Sequence, residues 1–343
     1  MTDLQAEMKR VKARVDDLIV GQLLPRSSST REVNLLYTMM RDYPRRQAKG
    51  MRPFLCVTTC RAAGGTEDDA LLTASCIELF QNWILIHDDI EDGSELRRGE
   101  PALHRKYGVA LALNAGDALH AKTWEAILMN KARLGLERTF AVMEEFSHMV
   151  NETTEGQHME LGWVVEKRWD LSEKDYYEMC TRKTSWYTVA SPCRLGAIVA
   201  GEDGPVLDLL REFGISLGIA FQIQDDSLNL IGDEKKYGKA KSDDILEGKR
   251  TLILLHLLAV SHQSERDKVI SIMNKKRETK TAGDVSYVLS LIDKYDAIGF
   301  ARKRATELMK EALATLNNIR WKGDRDAAET LTSFARFAVE REW

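Results

Sequence analysis

The chain has 343 residues, of which 44% are hydrophobic and 30% charged, with a formal net charge of −4. That balance describes a globular protein and leaves no basic footprint for nucleic acid. The five cysteines include no Cys-x-x-Cys pair and no zinc-type spacing, no apolar run approaches the ~20 residues that cross a bilayer, and the charged start MTDLQAEMKRVKARVDD lacks the apolar core of a signal peptide, so a reducing, cytoplasmic setting is expected.

Taken in chain order, the predicted elements are helical. Only six prolines interrupt the chain. Cys56 and Cys60, four apart, sit on a predicted helix and read as core. The almost wholly apolar LFQNWILI runs into an acidic cluster. Further on, VLDLLREFGISLGIAFQIQDD and ARKRATELMKEALATLNNI carry apolar residues at helical spacing. Breaks fall near LPRSSSTRE, AAGGTEDD, GWVVEKRWDLSEKD, AGEDGP, LIGDEKKYGKAKSDD and NKKRETKTAGD. Alternating strands flanked by hairpin turns are absent, as are solenoid repeats and any Gly/Ser- or Pro-rich linker. The expectation is an all-α protein of roughly ten core helices, forming one domain over residues 1–343.

Two acidic clusters carry the chemical signal. On a helix, Asp88 and Asp92 lie one turn apart on the same face, with Asp89 close by. Like charges at that spacing repel by a few tenths of a kcal/mol per pair, roughly, so something must offset them. Water on an exposed face could do so. Divalent cations would do it better, because magnesium commonly takes one or two carboxylates plus substrate phosphates. Asp225, Asp226 and Asn229 repeat the i, i+1, i+4 pattern after a second apolar run. Two such helices facing each other would hold carboxylates across a shared cavity mouth. Neither cluster alone makes an all-protein metal cage. Cations follow at several points: Lys49 and Arg52 in KGMRP, Arg97 and Arg98 after the first cluster, Lys183 in RKTSWY, and Lys239 and Lys249 after the second cluster. Arginine forks suit diphosphate oxygens and lysine supplies a point charge, so the set suggests two bound polyanions.

In these motifs the chain resembles the trans-isoprenyl diphosphate synthases, the head-to-tail prenyltransferases that include farnesyl and geranylgeranyl diphosphate synthases. KGMRP, LIHDDIEDGSELRRGEPALH, GDAL, EGQ, RKTSWY, QIQDDSLNL and EGKRT match in family order over most of the chain. The resemblance implies an all-α antiparallel bundle around a deep central cavity, usually a homodimer, and a magnesium-dependent reaction with three metal ions. An allylic diphosphate (dimethylallyl, geranyl or farnesyl) ionises, and isopentenyl diphosphate adds five carbons. The resemblance also assigns roles. Asp88, Asp92 and Asp225 bind magnesium, helped by Asp89, Asp226 and Asn229. Arg97, Lys183 and Lys239 contact the allylic diphosphate, and Lys49, Arg52, Gln81 and Arg98 hold isopentenyl diphosphate. Thr184 and Gln222 lie near the developing cation, and Lys249 helps close the site. Five residues depart from the family pattern: Gln47-Ala48 in place of a glycine pair, Glu160 where Asp is frequent, Asn229 where Asp is usual, and Ser242 where Gly is usual.

Trp83, five residues before Asp88, lies about 7.5 Å further back along the helix. In the family, a bulky aromatic there tends to close the cavity floor. Phe80 could share that role. Ile84 is not aromatic, whereas farnesyl enzymes often carry aromatics at both positions. A single plug favours geranylgeranyl diphosphate as product, with farnesyl diphosphate the alternative. A class I terpene cyclase fits less well, because residues 225–233, DDSLNLIGD, do not follow the cyclase pattern. A non-catalytic subunit of the same fold would usually lose one acidic cluster, and both are present.

Overall fold

A computed structural model of the chain describes residues 2–231 and 242–341. Its elements, in order, are α1 (Thr2–Leu18), a π-helical turn (Ile19–Leu23), α2 (Arg31–Met40), α3 (Asp42–Arg45), α4 (Met51–Ala62), α5 (Glu67–Glu91), β1 (Leu96–Arg97), β2 (Glu100–Pro101), α6 (Leu103–Tyr107), α7 (Val109–Met129) and α8 (Lys131–Val165). They continue with α9 (Glu173–Cys180), a π-helical stretch (Thr181–Ala190), α10 (Ser191–Ala200), α11 (Gly204–Ile231), α12 (Asp243–Glu247), α13 (Leu252–Val260), α14 (Gln263–Met273), a 3-10 turn (Arg277–Thr279), α15 (Ala282–Lys294), α16 (Ala297–Asn317) and α17 (Arg325–Glu340). The all-α expectation holds. The breaks expected near residues 24–32, 62–69, 162–175, 200–205 and 274–284 all contain non-α segments.

The chain divides into two compact units: residues 1–148, 191–211 and 317–334, and residues 149–190, 212–316 and 335–343. In the first, α4 is buried along nearly its whole length. Its Phe54 packs on Phe334, ring centroids 5.9 Å apart, and Cys56 and Cys60 lie in the core as free thiols. Burial pushes the Cys60 thiol up to about 12. The long α5 starts on a capping box, Thr66 accepting from Asp69 N while Asp69 accepts from Thr66 N. Such reciprocal bonds satisfy backbone donors that a helix start leaves open.

One local feature differs from the sequence expectation. A two-stranded antiparallel hairpin, Leu96↔Pro101 and Arg97↔Glu100, follows α5. Its central residues, Arg98 and Gly99, both have positive φ, 53° and 79°, as a type I′ turn requires. Strands of two residues carry no alternation to read, so sequence periodicity could not reveal them.

The second unit is organised around the π-helical stretch. Gly156 on α8 faces it so closely that a Cβ there would come within 2.1 Å of Lys183 N and 2.6 Å of Lys183 Cα. The glycine of the EGQ motif is therefore what lets two backbones cross at Lys183. Gly156→Ala should lower unfolding stability by roughly 1–3 kcal/mol or more, since the contact is with backbone that cannot step aside. Gly162→Ala, on the same helix with nothing within 4 Å of the added methyl, should instead raise stability by roughly 0.5–1 kcal/mol. Urea titrations of the two variants check the contrast; equal effects would remove the crossing argument.

Candidate active site

The first acidic cluster lies at the C-terminal end of α5. Asp92 caps the helix, its N–H donating to Asp88 O at 2.8 Å, so Asp88 and Asp92 keep helical spacing. Carboxylates there meet the negative end of the helix dipole, which costs stability unless a cation compensates, and the last turn holds no basic residue. Compensation comes from the hairpin. Arg97 Nε donates to Asp89 Oδ1 at 2.8 Å, and its Nη2 reaches both Asp89 Oδ1 and, at 3.2 Å, Asp88 Oδ2. Burial alone would lower the Arg97 pKa, but Asp89 and then Asp88 raise it above the ordinary value. Asp89 is fully buried and takes a third bond, from Tyr43 Oη at 2.5 Å. The Tyr43 oxygen in turn accepts from Leu103 N at 3.1 Å. Arg46 fixes the hairpin backbone, donating to the carbonyls of Arg97 at 2.7 Å and Pro101 at 2.9 Å.

A second group in the same unit gathers Arg52, Gln81 and Arg98 around Glu78. In the amide orientation that satisfies both neighbours, Gln81 donates to Glu78 Oε2 at 3.0 Å and accepts from Arg52 Nη1 at 2.9 Å. Arg98 donates to Tyr43 O at 2.9 Å and lies 3.8 Å from Glu78 Oε1. Burial depresses the Arg98 pKa, partly opposed by Glu78. Lys49 stands in the loop just before α4. Two arginine forks gathered in this way suit the oxygens of a diphosphate.

In the second unit, Asp225 and Asp226 lie on α11. Asp226 is buried, accepting from Tyr176 Oη at 2.7 Å and Gln222 Nε2 at 2.8 Å. Burial raises its pKa against these hydrogen bonds. Gln222 also accepts from Thr184 Oγ1 at 2.9 Å, tying the π-helical stretch to α11. Lys183 Nζ pairs with Glu160. π-helical turns concentrate at functional sites, and this one carries RKTSWY. Asn229 is buried and uses its side-chain oxygen to accept from Asp244 N at 3.2 Å. Its carbonyl accepts from Ser242 N at 2.9 Å, so it anchors the start of α12. Lys249 pairs with Glu247 Oε2 at 2.7 Å. Lys239 lies outside the described residues.

The first unit also holds the aromatic positions. Trp83 is buried, stacked on His120 of α7 with centroids 4.0 Å apart, and its ring meets Phe80 edge-on at 5.4 Å. Ile84 is half-buried. Sequence reading missed Tyr43, Arg46, Glu78, His120, Tyr176 and Arg341. None belongs to a charge cluster or short motif that the pattern singled out, and each has a partner in the site well separated from it in the chain, as Tyr43 has Asp89 and Glu78 has Arg98.

Oxygen donors of this kind fit magnesium, a hard cation. Among the described residues no three or more His, Cys, Asp or Glu side chains are gathered into a ready metal cage. A magnesium ion bound by these carboxylates would take its remaining ligands from phosphate oxygens and water.

The sequence profile of the polyprenyl synthetase family matches residues 33–292. The chain is 34% identical over 294 residues to a short chain isoprenyl diphosphate synthase of Methanothermobacter thermautotrophicus, covering 86% of each chain. It is 34% identical to a geranylgeranyl diphosphate synthase of Saccharolobus solfataricus, covering 85% of this chain and 86% of that one. Among solved structures, geranylgeranyl pyrophosphate synthetase from Pyrococcus horikoshii superposes with a TM-score of 0.86 at 35% identity, over 99% of both chains. A Corynebacterium glutamicum geranylgeranyl pyrophosphate synthase complexed with isoprenyl diphosphate and magnesium gives 0.88 at 26% identity, over 98% of this chain and 99% of that one. With its all-α fold, its two acidic clusters and these matches, the chain is a prenyltransferase of the polyprenyl synthetase family.

Proposed function

We propose that the protein is a short-chain prenyltransferase that condenses isopentenyl diphosphate with dimethylallyl, geranyl and farnesyl diphosphates to make geranylgeranyl diphosphate. The carrying observation is the common build of the two acidic pairs. In each, the second aspartate is buried and held by a tyrosine, Asp89 by Tyr43 and Asp226 by Tyr176. The first aspartate keeps partial exposure, 16% of the side chain for Asp88 and 28% for Asp225. Two pairs prepared alike suit the same task, each offering a partly exposed carboxylate to a diphosphate-bound metal ion. The geranylgeranyl names of the relatives above support the product.

Asp88, Asp92 and Asp225 would hold the magnesium, as three ions with the allylic diphosphate. Bound there, magnesium stabilises charge on the departing diphosphate. Asp89 and Asp226 act by fixing their neighbours. Arg97 serves the allylic diphosphate while locking Asp88 and Asp89. Lys183 and Lys239 contact the same diphosphate, and Lys249 helps close over it. Lys49, Arg52, Gln81 and Arg98 bind isopentenyl diphosphate. When the allylic C–O bond breaks, its electron pair leaves with the diphosphate. The carbonyl and side-chain dipoles of Thr184 and Gln222 then stabilise the allylic cation. The isopentenyl double bond attacks that cation, and the released diphosphate accepts the proton lost as the new double bond forms.

Residues 1–343 work as one functional domain, supported by a family match that spans residues of both units. The protein works as a cytoplasmic homodimer. Exposed apolar side chains along α7 and α8 (Val109, Leu113, Leu128, Leu136 and Phe140) support the pairing. No described helix is long and apolar enough to cross a membrane.

Three outcomes are expected. Asp88→Ala and Asp225→Ala should each lower turnover with labelled isopentenyl diphosphate by orders of magnitude while circular dichroism stays helical; near-normal turnover in both would sink the two-cluster mechanism. Arg98→Ala should weaken isopentenyl diphosphate, raising its KM roughly tenfold to a hundredfold, as loss of a charged hydrogen bond does. Arg97→Ala should act on the allylic side instead, and it should also lower stability by about 3–5 kcal/mol by leaving Asp89 buried without its cation. Equal small effects on both substrates would count against the division. Trp83→Ala should lengthen the products sized after dephosphorylation; an active variant with unchanged product lengths would show that Trp83 is not the cavity floor.

A further inference from the structure

The two acidic pairs share one more feature. The outward aspartate of each is reached by an arginine. For Asp88 that arginine is Arg97, nine residues on in the same local segment. For Asp225 it is Arg341, 116 positions away, immediately after α17. Phe221, Gln224 and Asp225 stand at i, i+3 and i+4, on one face of α11. Each grips a different part of Arg341. The guanidinium carbon lies 4.2 Å from the Phe221 ring centroid. Gln224 Nε2 donates to the Arg341 carbonyl at 2.7 Å, and Arg341 Nη2 donates to Asp225 Oδ1. Arg341 Nε donates to Ala338 O at 3.1 Å, and the side chain is 3% exposed. A buried guanidinium stacked on Phe221 and hydrogen-bonded to Ala338 O and to Asp225 cannot swing freely, so it sets the direction in which the Asp225 carboxylate points.

We infer that Arg341 is a positioning residue for magnesium binding at Asp225; the inference rests on the metal role proposed above for that aspartate. Orientation and charge pull in opposite directions here. A fixed hydrogen bond to a ligating carboxylate is worth about 10–100-fold in metal affinity, whereas a nearby cation repels the metal. Diphosphate decides the balance. Its negative charge offsets the guanidinium when metal and diphosphate bind together, while the gain from orientation remains. Arg341 therefore favours the magnesium–diphosphate assembly.

The test uses the full chain and inorganic diphosphate at a fixed concentration. The midpoint of thermal stabilisation is followed as magnesium is titrated, alongside steady-state turnover. Arg341→Ala should raise the magnesium midpoint about tenfold or more, and Arg341→Lys should restore part of it. In an Asp225→Ala background, removing Arg341 should change the midpoint no further. A lower melting temperature without magnesium, combined with an unchanged magnesium midpoint, means a purely structural tether and overturns the inference. A lowered midpoint makes Arg341 a competitor of the metal and overturns it too. If Arg341→Ala does not fold, Phe221→Leu and Arg341→Lys decide: a raised midpoint supports positioning and an unchanged one refutes it. If Asp225→Ala responds to magnesium as the parent does, the metal role of Asp225 itself fails. If Asp225→Ala loses the response while the Arg341 variants keep it, only the positioning role fails.

Discussion

A fully buried carboxylate at the end of α5 sets the terms for the first acidic cluster. Asp89 has no exposure, so its charge must be met inside the protein, since stranding an ion there costs several kcal/mol. Arg97 and Tyr43 meet it. That requirement orders a wide region. The hairpin must return Arg97 to the helix end, the short helix α3 must bring Tyr43 alongside, and Arg46 must hold the hairpin carbonyls. The reward is a neighbouring aspartate, Asp88, kept in place with part of its surface open.

The same arrangement recurs on α11 with different parts. Asp226 is buried against Tyr176 and Gln222, and its pKa is raised by burial. Gln222 also ties in Thr184, so one side chain links the second acidic pair to the π-helical stretch. The extra residue in a π turn shifts the register of the side chains that follow. Here it accompanies the close crossing of Gly156 and Lys183, where no other residue type leaves enough room.

The group formed by Arg52, Gln81, Arg98 and Glu78 works by a different balance. Two arginines partly buried together would repel. Glu78 sits among them and reduces that repulsion before any anion arrives. Arg98 also adopts a left-handed backbone conformation, φ 53°, which is uncommon outside glycine and concentrates where function over-determines geometry. Its bond to the Tyr43 carbonyl joins this group to the acidic one, so Tyr43 serves both through different atoms.

Much of this was legible in sequence because it is local. Helical periodicity, the two i, i+1, i+4 acidic patterns and the motifs from KGMRP to EGKRT sit within short windows, where spacing along the chain equals spacing on a helix. The all-α class and the family followed from that. What tertiary structure decided is the division of labour inside each motif. Spacing makes Asp88 and Asp89 look equivalent, as it does Asp225 and Asp226. Only packing buries the second of each pair, and only the positions of Tyr43 and Tyr176, 46 and 50 residues from Asp89 and Asp226, give those buried carboxylates a hydroxyl partner; Arg341, 116 residues from Asp225, bonds the outward member instead. Asn229 reads as a metal-motif residue by spacing, yet its side-chain oxygen is spent on a backbone N–H of α12. Such partners are chosen by three-dimensional proximity, and one-dimensional order does not encode it in any readable pattern.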